Sequence, residues 1–286
     1  MAVTTSSGPG RKGTRARDAF FYLFLTVFVL AVVAPVAWVL KMSLSTRADL
    51  LATPPPIVPP HPTLSNYSTV FGAPEFRRAL LNSVLIAGAT TLVSLTFGVL
   101  AAYPLARVRF RGKAALLTGF LALAFFPTVA IIAPLFKEFR ELGLLDTYAA
   151  IIAVDSAFAL PLTVWILTAF FRTLPRNLEE AARVDGASTF RVLTGVILPL
   201  SAPGVVTAGL LVFVFAWNEF LFANTFLFSQ DHWPVTVAIP GFATTHTIDF
   251  GAQAAASITV TLPILVIVFV FQRRLVAGLM AGALKG

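Results

Sequence analysis

Residues 79–106 read ALLNSVLIAGATTLVSLTFGVLAAYPLA, 28 positions without a single Asp, Glu, Lys or Arg. A helix rises about 1.5 Å per residue, so roughly 20 residues cross the hydrocarbon core of a bilayer. The run is therefore long enough to span. Four more charge-free runs, 19–40, 114–136, 192–218 and 250–272, contain 22, 23, 27 and 23 residues. A sixth apolar segment, about 148–171, holds one carboxylate, Asp155. The fifth span is expected to run from Pro203 to Phe228 with Glu219 inside it. Barrel strands would show alternating patterns of about ten residues, and none is present. The expected fold is an all-α polytopic membrane protein whose six transmembrane helices occupy residues 19–272.

Composition agrees. The chain of 286 residues is 57% hydrophobic and only 12% charged, against about 25% charged in a soluble domain. The net charge of +8 would suggest nucleic acid in a soluble protein; here it reads as orientation. With both termini in the cytoplasm, fifteen Lys and Arg fall inside and six outside (Lys41, Arg47, Arg77, Arg78, Lys137 and Arg140). Arg11, Lys12, Arg15 and Arg17 precede the first run as they would in a signal peptide. That run exceeds the about 7 to 15 residues of a signal core and ends in Trp38-Val39-Leu40-Lys41, so it is expected to stay as an anchor. The absence of cysteine removes disulfide and thiol chemistry.

Residues 1–18 have the small, polar, basic composition of a disordered cytoplasmic tail. Gly8 to Thr14 resembles a phosphate-binding loop only faintly, because Thr14 stands where that pattern needs Lys. The external segments are expected at about 41–78, 137–147 and 229–249, the first stiffened by TPPPIVPPHP at residues 53–62. Asn66-Tyr67-Ser68 has the form of a glycosylation sequon, too short a match to use. Residues 172–200 and 273–286 are left in the cytoplasm. Three scattered histidines, His61, His232 and His246, have no metal-ligand spacing, so no metal is assigned.

One cytoplasmic stretch has an organisation of its own: Asn177-Leu178-Glu179-Glu180-Ala181-Ala182-Arg183-Val184-Asp185-Gly186-Ala187-Ser188, continuing to Ile197-Leu198-Pro199. Asn177 can cap a helix with Glu180 reaching back, in a variant of the capping box. Leu178, Ala181 and Ala182 then share a face, and Gly186 supplies a left-handed end. Ser188 can cap a second helix with Phe190, Leu193 and Ile197 as its apolar stripe until Pro199. A small amphipathic helix with two alanines can enter a partner's groove or rest on the bilayer. Glu179, Glu180 and Asp185 oppose the second, since the cytoplasmic leaflet is anionic.

The same stretch resembles the EAA motif of ABC importer permeases: EAA, three residues, Gly, nine residues, then I-x-L-P. Residues 180–199 keep that spacing, with Val196 in place of the usual Ile. The tail from Gln272 to Gly286 and Ala216-Trp217-Asn218-Glu219-Phe220-Leu221 resemble the maltose- and trehalose-type sugar permeases. The resemblance implies a type I importer in a prokaryotic cell membrane. This subunit would pair with a second, related permease, above two ABC ATPase subunits and below an extracytoplasmic sugar-binding protein. It would be no enzyme and bind no cofactor, ATP and Mg being held by the ATPases. The EAA loop would couple to the ATPase through Glu180, Ala181, Ala182, Asp185, Gly186, Leu198 and Pro199, with Glu180 as cap and polar contact and Gly186 as a bend that no side chain fits.

The substrate path is read from polar residues inside apolar helices, because an intramembrane carboxylate faces protein or a water-filled cavity. Asp155, Trp217, Asn218 and Glu219 are the set, able to offer hydrogen bonds and an indole face to a sugar; packing against the second permease is the alternative. Asp155 and Glu219 could also serve an ion-coupled secondary transporter, but no inverted repeat supports it. No His/Asp/Glu cluster or Ser-Lys dyad supports an intramembrane enzyme. A polyol or glycerol phosphate would keep the ABC mechanism, though a phosphate would favour cations in a path that here lacks Lys and Arg.

Overall fold

The computed structural model describes residues 11–242 and 249–283, with side-chain surroundings for 17–242 and 249–272. The regular structure of these residues is helical. Ten helices matter here: α1 (Arg11–Ser43), α2 (Pro74–Arg107), α3 (Lys113–Ala124), α4 (Thr128–Glu141), α5 (Tyr148–Thr173), α6 (Asn177–Val184), α7 (Thr189–Leu200), α8 (Ala202–Trp217), α9 (Leu221–Phe226) and α10 (Phe250–Ala283). Residues 1–10, His246 and the last three residues lie outside the described set, as do the side chains of the tail from 273 onward.

Among the described residues, four segments are long and apolar enough to cross a membrane: Arg17–Ser43, α2, α5 and Phe250–Gln272. The other two expected spans are broken. Helices α3 and α4 meet at 88°, and α7 and α8 at 82°, so six crossings result only if each bent pair counts as one. Hydropathy does not reveal such a bend, because a bend between apolar residues leaves apolarity unchanged. The causes are local. Pro127 disfavours helical geometry at Phe126 and removes a backbone donor, so α3 ends at Ala124 and α4 restarts at Thr128. The fifth expected span, Pro203 to Phe228, instead ends at Trp217, and α9 follows separately. At the N-terminus, α1 begins at Arg11, so residues 11–18 are helical where composition suggested a disordered tail.

The centre of the molecule is the seam of α2 and α5, with α8 beside both. Small residues make that approach close. A Cβ on Gly98 of α2 would stand 2.5 Å from Thr163 Cγ2 of α5, and one on Gly204 of α8 would meet the Phe170 ring at 2.3 Å. Between membrane helices such contact replaces the hydrophobic driving force, which lipid does not supply. Toward the loop of α6 the seam packs Val99, Tyr103, Leu167, Phe171, Leu193 and Ile197. Toward the other end it packs Ile86, Phe139, Ile151, Phe222 and Phe226. Helix α1 lies along α10, and residues 17–38 of α1 are otherwise exposed.

At the end opposite α6, polar side chains fasten the connecting segments. Asp146 follows α4 with φ +59°; its carboxylate accepts from the amides of Phe228 (2.9 Å) and Ser229 (3.0 Å). His232 Nδ1 stands 3.2 Å from the same carboxylate. Arg78 pairs with Asp231, and Asn82 Nδ2 donates to the carbonyls of Asp231 (2.8 Å) and Trp233 (3.0 Å). Asn66, the first residue of the sequon-like triplet, donates to the carbonyls of Ser43 and Ser45 at 2.9 Å each.

Candidate functional site

Helix α6 ends in a Schellman motif. The Ala187 amide reaches back to the Ala182 carbonyl (2.9 Å) and the Gly186 amide to that of Arg183 (3.0 Å), with Gly186 at φ +80°. A Cβ on Gly186 would meet no atom within 4 Å. The bend therefore needs glycine for its left-handed backbone and not for space, which corrects the expectation that no side chain fits. Ser188 caps α7, accepting from the Arg191 amide at 3.3 Å. Helix α7 passes through a π turn at Leu193–Ile197 and closes at Leu198-Pro199-Leu200. Leu193 and Ile197 are buried, but Phe190 is exposed, so the expected stripe is incomplete.

The start of α6 differs from the expected capping box. Arg176 holds the cap position and no side chain caps the helix. The amides of Glu179 and Glu180 donate to the Arg176 carbonyl at 3.0 and 3.2 Å. Glu180 is exposed and borders a cavity of about 380 Å³ that also meets Tyr103, Arg107, Arg176 and Arg183. Ala181 and Asp185 are exposed, Ala182 is half-buried, and Val184 is 87% exposed. The helix thus presents Glu180, Ala181, Arg183 and Val184 outward, ahead of a left-handed glycine turn.

The residue that sequence reading missed is Glu179. It is the buried residue of α6, and its Oε1 lies 2.6 Å from Arg107 Nε at the end of α2; the side chains are 9% and 6% exposed. The two atoms stand at ion-pair distance but outside hydrogen-bond alignment. Tyr103 donates its hydroxyl to Glu179 Oε2 at 3.3 Å, and Arg107 Nη1 donates to the Leu174 carbonyl just after α5 at 3.0 Å. A signal existed in the sequence: Tyr103 and Arg107 lie one turn apart at the end of an apolar run, and Glu179 lies one turn before Arg183.

The expected substrate path is divided. Glu219 sits in the break between α8 and α9, not within a helix. Its carboxylate accepts from the amides of Phe222 (2.7 Å) and Ala223 (2.9 Å), capping α9. With Thr128, Asn218, Phe220 and Phe222 it borders an open cavity of about 530 Å³. Asn218 spends its Nδ2 on the Val214 carbonyl at 2.7 Å. Trp217 points away: its indole is buried against Phe213, with ring centroids 5.5 Å apart. Asp155 is 0% exposed, and neither carboxylate oxygen has a protein hydrogen-bond partner. It does not border the Glu219 cavity, although the Phe158–Phe222 contact at 5.5 Å brings its helix against α9.

Residues 94–280 match the family described as binding-protein-dependent transport system inner membrane component. The chain belongs to that family. This inner membrane component is 39% identical over 274 residues to the trehalose transport system permease protein SugB of Mycobacterium tuberculosis, covering 95% of this chain and 99% of the relative. It is 39% identical over 271 residues to the trehalose/maltose transport system permease protein MalG of Thermococcus litoralis, covering 92% and 96%. With the sulfoquinovosyl glycerol transport system permease protein SmoH of Agrobacterium fabrum it shares 34% over 283 residues, 99% of each. Its fold matches a chain of a bacterial ABC transporter that imports alginate, with a TM-score of 0.80, 23% identity and coverage of 93% and 99%. It is a transport subunit and not an enzyme.

Proposed function

We propose that this inner membrane component is one of two permeases of a type I ABC importer that carries a sugar or oligosaccharide inward. Two ATPases, which hold ATP and Mg, dock on the loop of α6 and α7. A sugar-binding protein delivers from the opposite side. The observation that carries this reading is α6 itself: a short helix with a left-handed glycine end, an exposed Ala181 and an anchor of buried charge. The exposed length of α1 is offered to lipid and to the second permease.

Three supports favour a sugar. Relatives covering nearly the whole chain are named for trehalose, maltose and sulfoquinovosyl glycerol transport. The 530 Å³ cavity beside Glu219 joins hydrogen-bonding groups to aromatic walls at Phe220 and Phe222. The charge-free runs bring no Lys or Arg to the path, which disfavours a phosphate on this subunit's side.

The test is uptake of labelled trehalose, maltose and glycerol 3-phosphate by cells with and without the gene. Loss of disaccharide uptake alone is the expected result. Selective loss of glycerol phosphate uptake would replace the sugar with a phosphate, and sugar uptake abolished by a protonophore at undiminished ATP would restore the ion-coupled reading.

A further inference from the structure

We propose that Arg107 and Glu179 form a strut that carries movement of α6 into the α2–α5 pair; this rests on the reading of α6 as the ATPase-docking helix. A docking helix transmits force only if something stiff joins it to the membrane helices. Apolar packing on α6 itself is sparse: Leu178 and Val184 are exposed, and Ala182 is half-buried against the core. What α6 buries is the Glu179 carboxylate, 2.6 Å from Arg107 Nε. Arg107 also holds the Leu174 carbonyl, where α5 ends, and Tyr103, one turn earlier on α2, holds the second oxygen of Glu179. One guanidinium thus ties three elements at the point where they meet.

Physical chemistry favours a charged pair here over leucines. An apolar contact is non-directional and lets a short helix roll or slide. A buried ion pair loses heavily if either partner moves away, because each charge then lies unpaired in a poor solvent. The contact therefore resists sliding, and α6 and the end of α2 move as one body. Arg107 and Glu179 are positioning residues: neither borders the Glu219 cavity, and their side chains, 6% and 9% exposed, lie at the floor of the 380 Å³ cavity that Glu180 borders.

The experiment uses the full complex of permease pair, ATPases and binding protein in nanodiscs. It reads the ratio of binding-protein-stimulated to basal ATP turnover. A merely stabilising role lowers the yield of complex and leaves this ratio unchanged. Arg107→Glu and Glu179→Arg should each lower the ratio about tenfold, toward one. The double variant, with the pair reversed, should recover to within about threefold of wild type. Where a charge reversal prevents assembly, Glu179→Gln keeps the shape and should show the same loss. A wild-type ratio in Glu179→Gln, or a double variant no better than either single one, would overturn the strut. Gly186→Val is measured alongside. If it lowers the ratio while the pair variants do not, the strut alone fails; if it too leaves the ratio intact, the docking reading of α6 fails first.

Discussion

Glu219 shows how a residue can be singled out in the sequence while its place in the fold is misread. An acid among apolar residues marks a site, and Glu219 does border a cavity. Its expected place inside a continuous span from Pro203 to Phe228 is not what the structure shows, because α8 stops at Trp217 and the carboxylate caps α9. Glu219→Ala should cost about 0.5–2 kcal/mol as a lost cap and lower the thermal midpoint of the purified complex. Glu219→Gln retains one acceptor and should keep the fold while impairing uptake. Unchanged uptake in Glu219→Gln would remove the cavity from the path. Trp217 was legible as an aromatic beside that acid, but the direction of its ring was not, since its burial depends on Ala79 and Ala87 of α2 and on Val235, far from it in sequence or on another element. The Glu179–Glu180 pair carries the same lesson. The motif drew the reading to Glu180, whereas the buried charge is Glu179, whose partner lies 72 positions earlier at Arg107.

At the scale of elements, the glycine bend, the Ser188 cap and the end of α7 near Pro199 were all legible, because each depends on residues a turn apart. The break between α3 and α4 and the end of α8 at Trp217 were not, because an apolar run reports solvent and not direction; Pro127 was the available clue to the first. The connection of α4 to α5 offers a test of local electrostatics. Burial would raise the Asp146 carboxyl, but hydrogen bonds from the Ser229 hydroxyl and amide, His232 and the Phe228 amide outweigh it and hold the group well below the ordinary value. A carboxyl lowered in the folded state stabilises it fully above the unfolded value, about 3.9, and loses that contribution as pH falls through the lowered folded value. The thermal midpoint of the wild type should therefore drop on acidification below about pH 4. Asp146→Asn should lie lower at neutral pH and respond less to acid. Parallel curves for the two proteins would show that this clasp contributes nothing.

For the whole molecule, the proposed orientation, with both termini in the cytoplasm, rests on assigning fifteen basic residues inside and six outside. The chain has no cysteine, so single introduced thiols report without background. Ala48→Cys and Leu142→Cys should react with an impermeant reagent from outside, while Arg111→Cys and Val184→Cys should react only after the membrane is opened. External labelling at Val184→Cys would invert the topology and remove α6 from any cytoplasmic partner.

The central claim is that α6, held at its set angle by Gly186, passes the ATPase stroke to the membrane helices. The measurement is binding-protein-stimulated ATP turnover of the reconstituted complex carrying Gly186→Val or Gly186→Asn. A β-branched residue at φ +80° costs about 1–3 kcal/mol of backbone strain, whereas asparagine tolerates the left-handed region and the site has room for its side chain. The account predicts that Gly186→Val loses stimulation or ATPase association with the spans still inserted, and that Gly186→Asn retains most of both. Full stimulation and full association in Gly186→Val would contradict it.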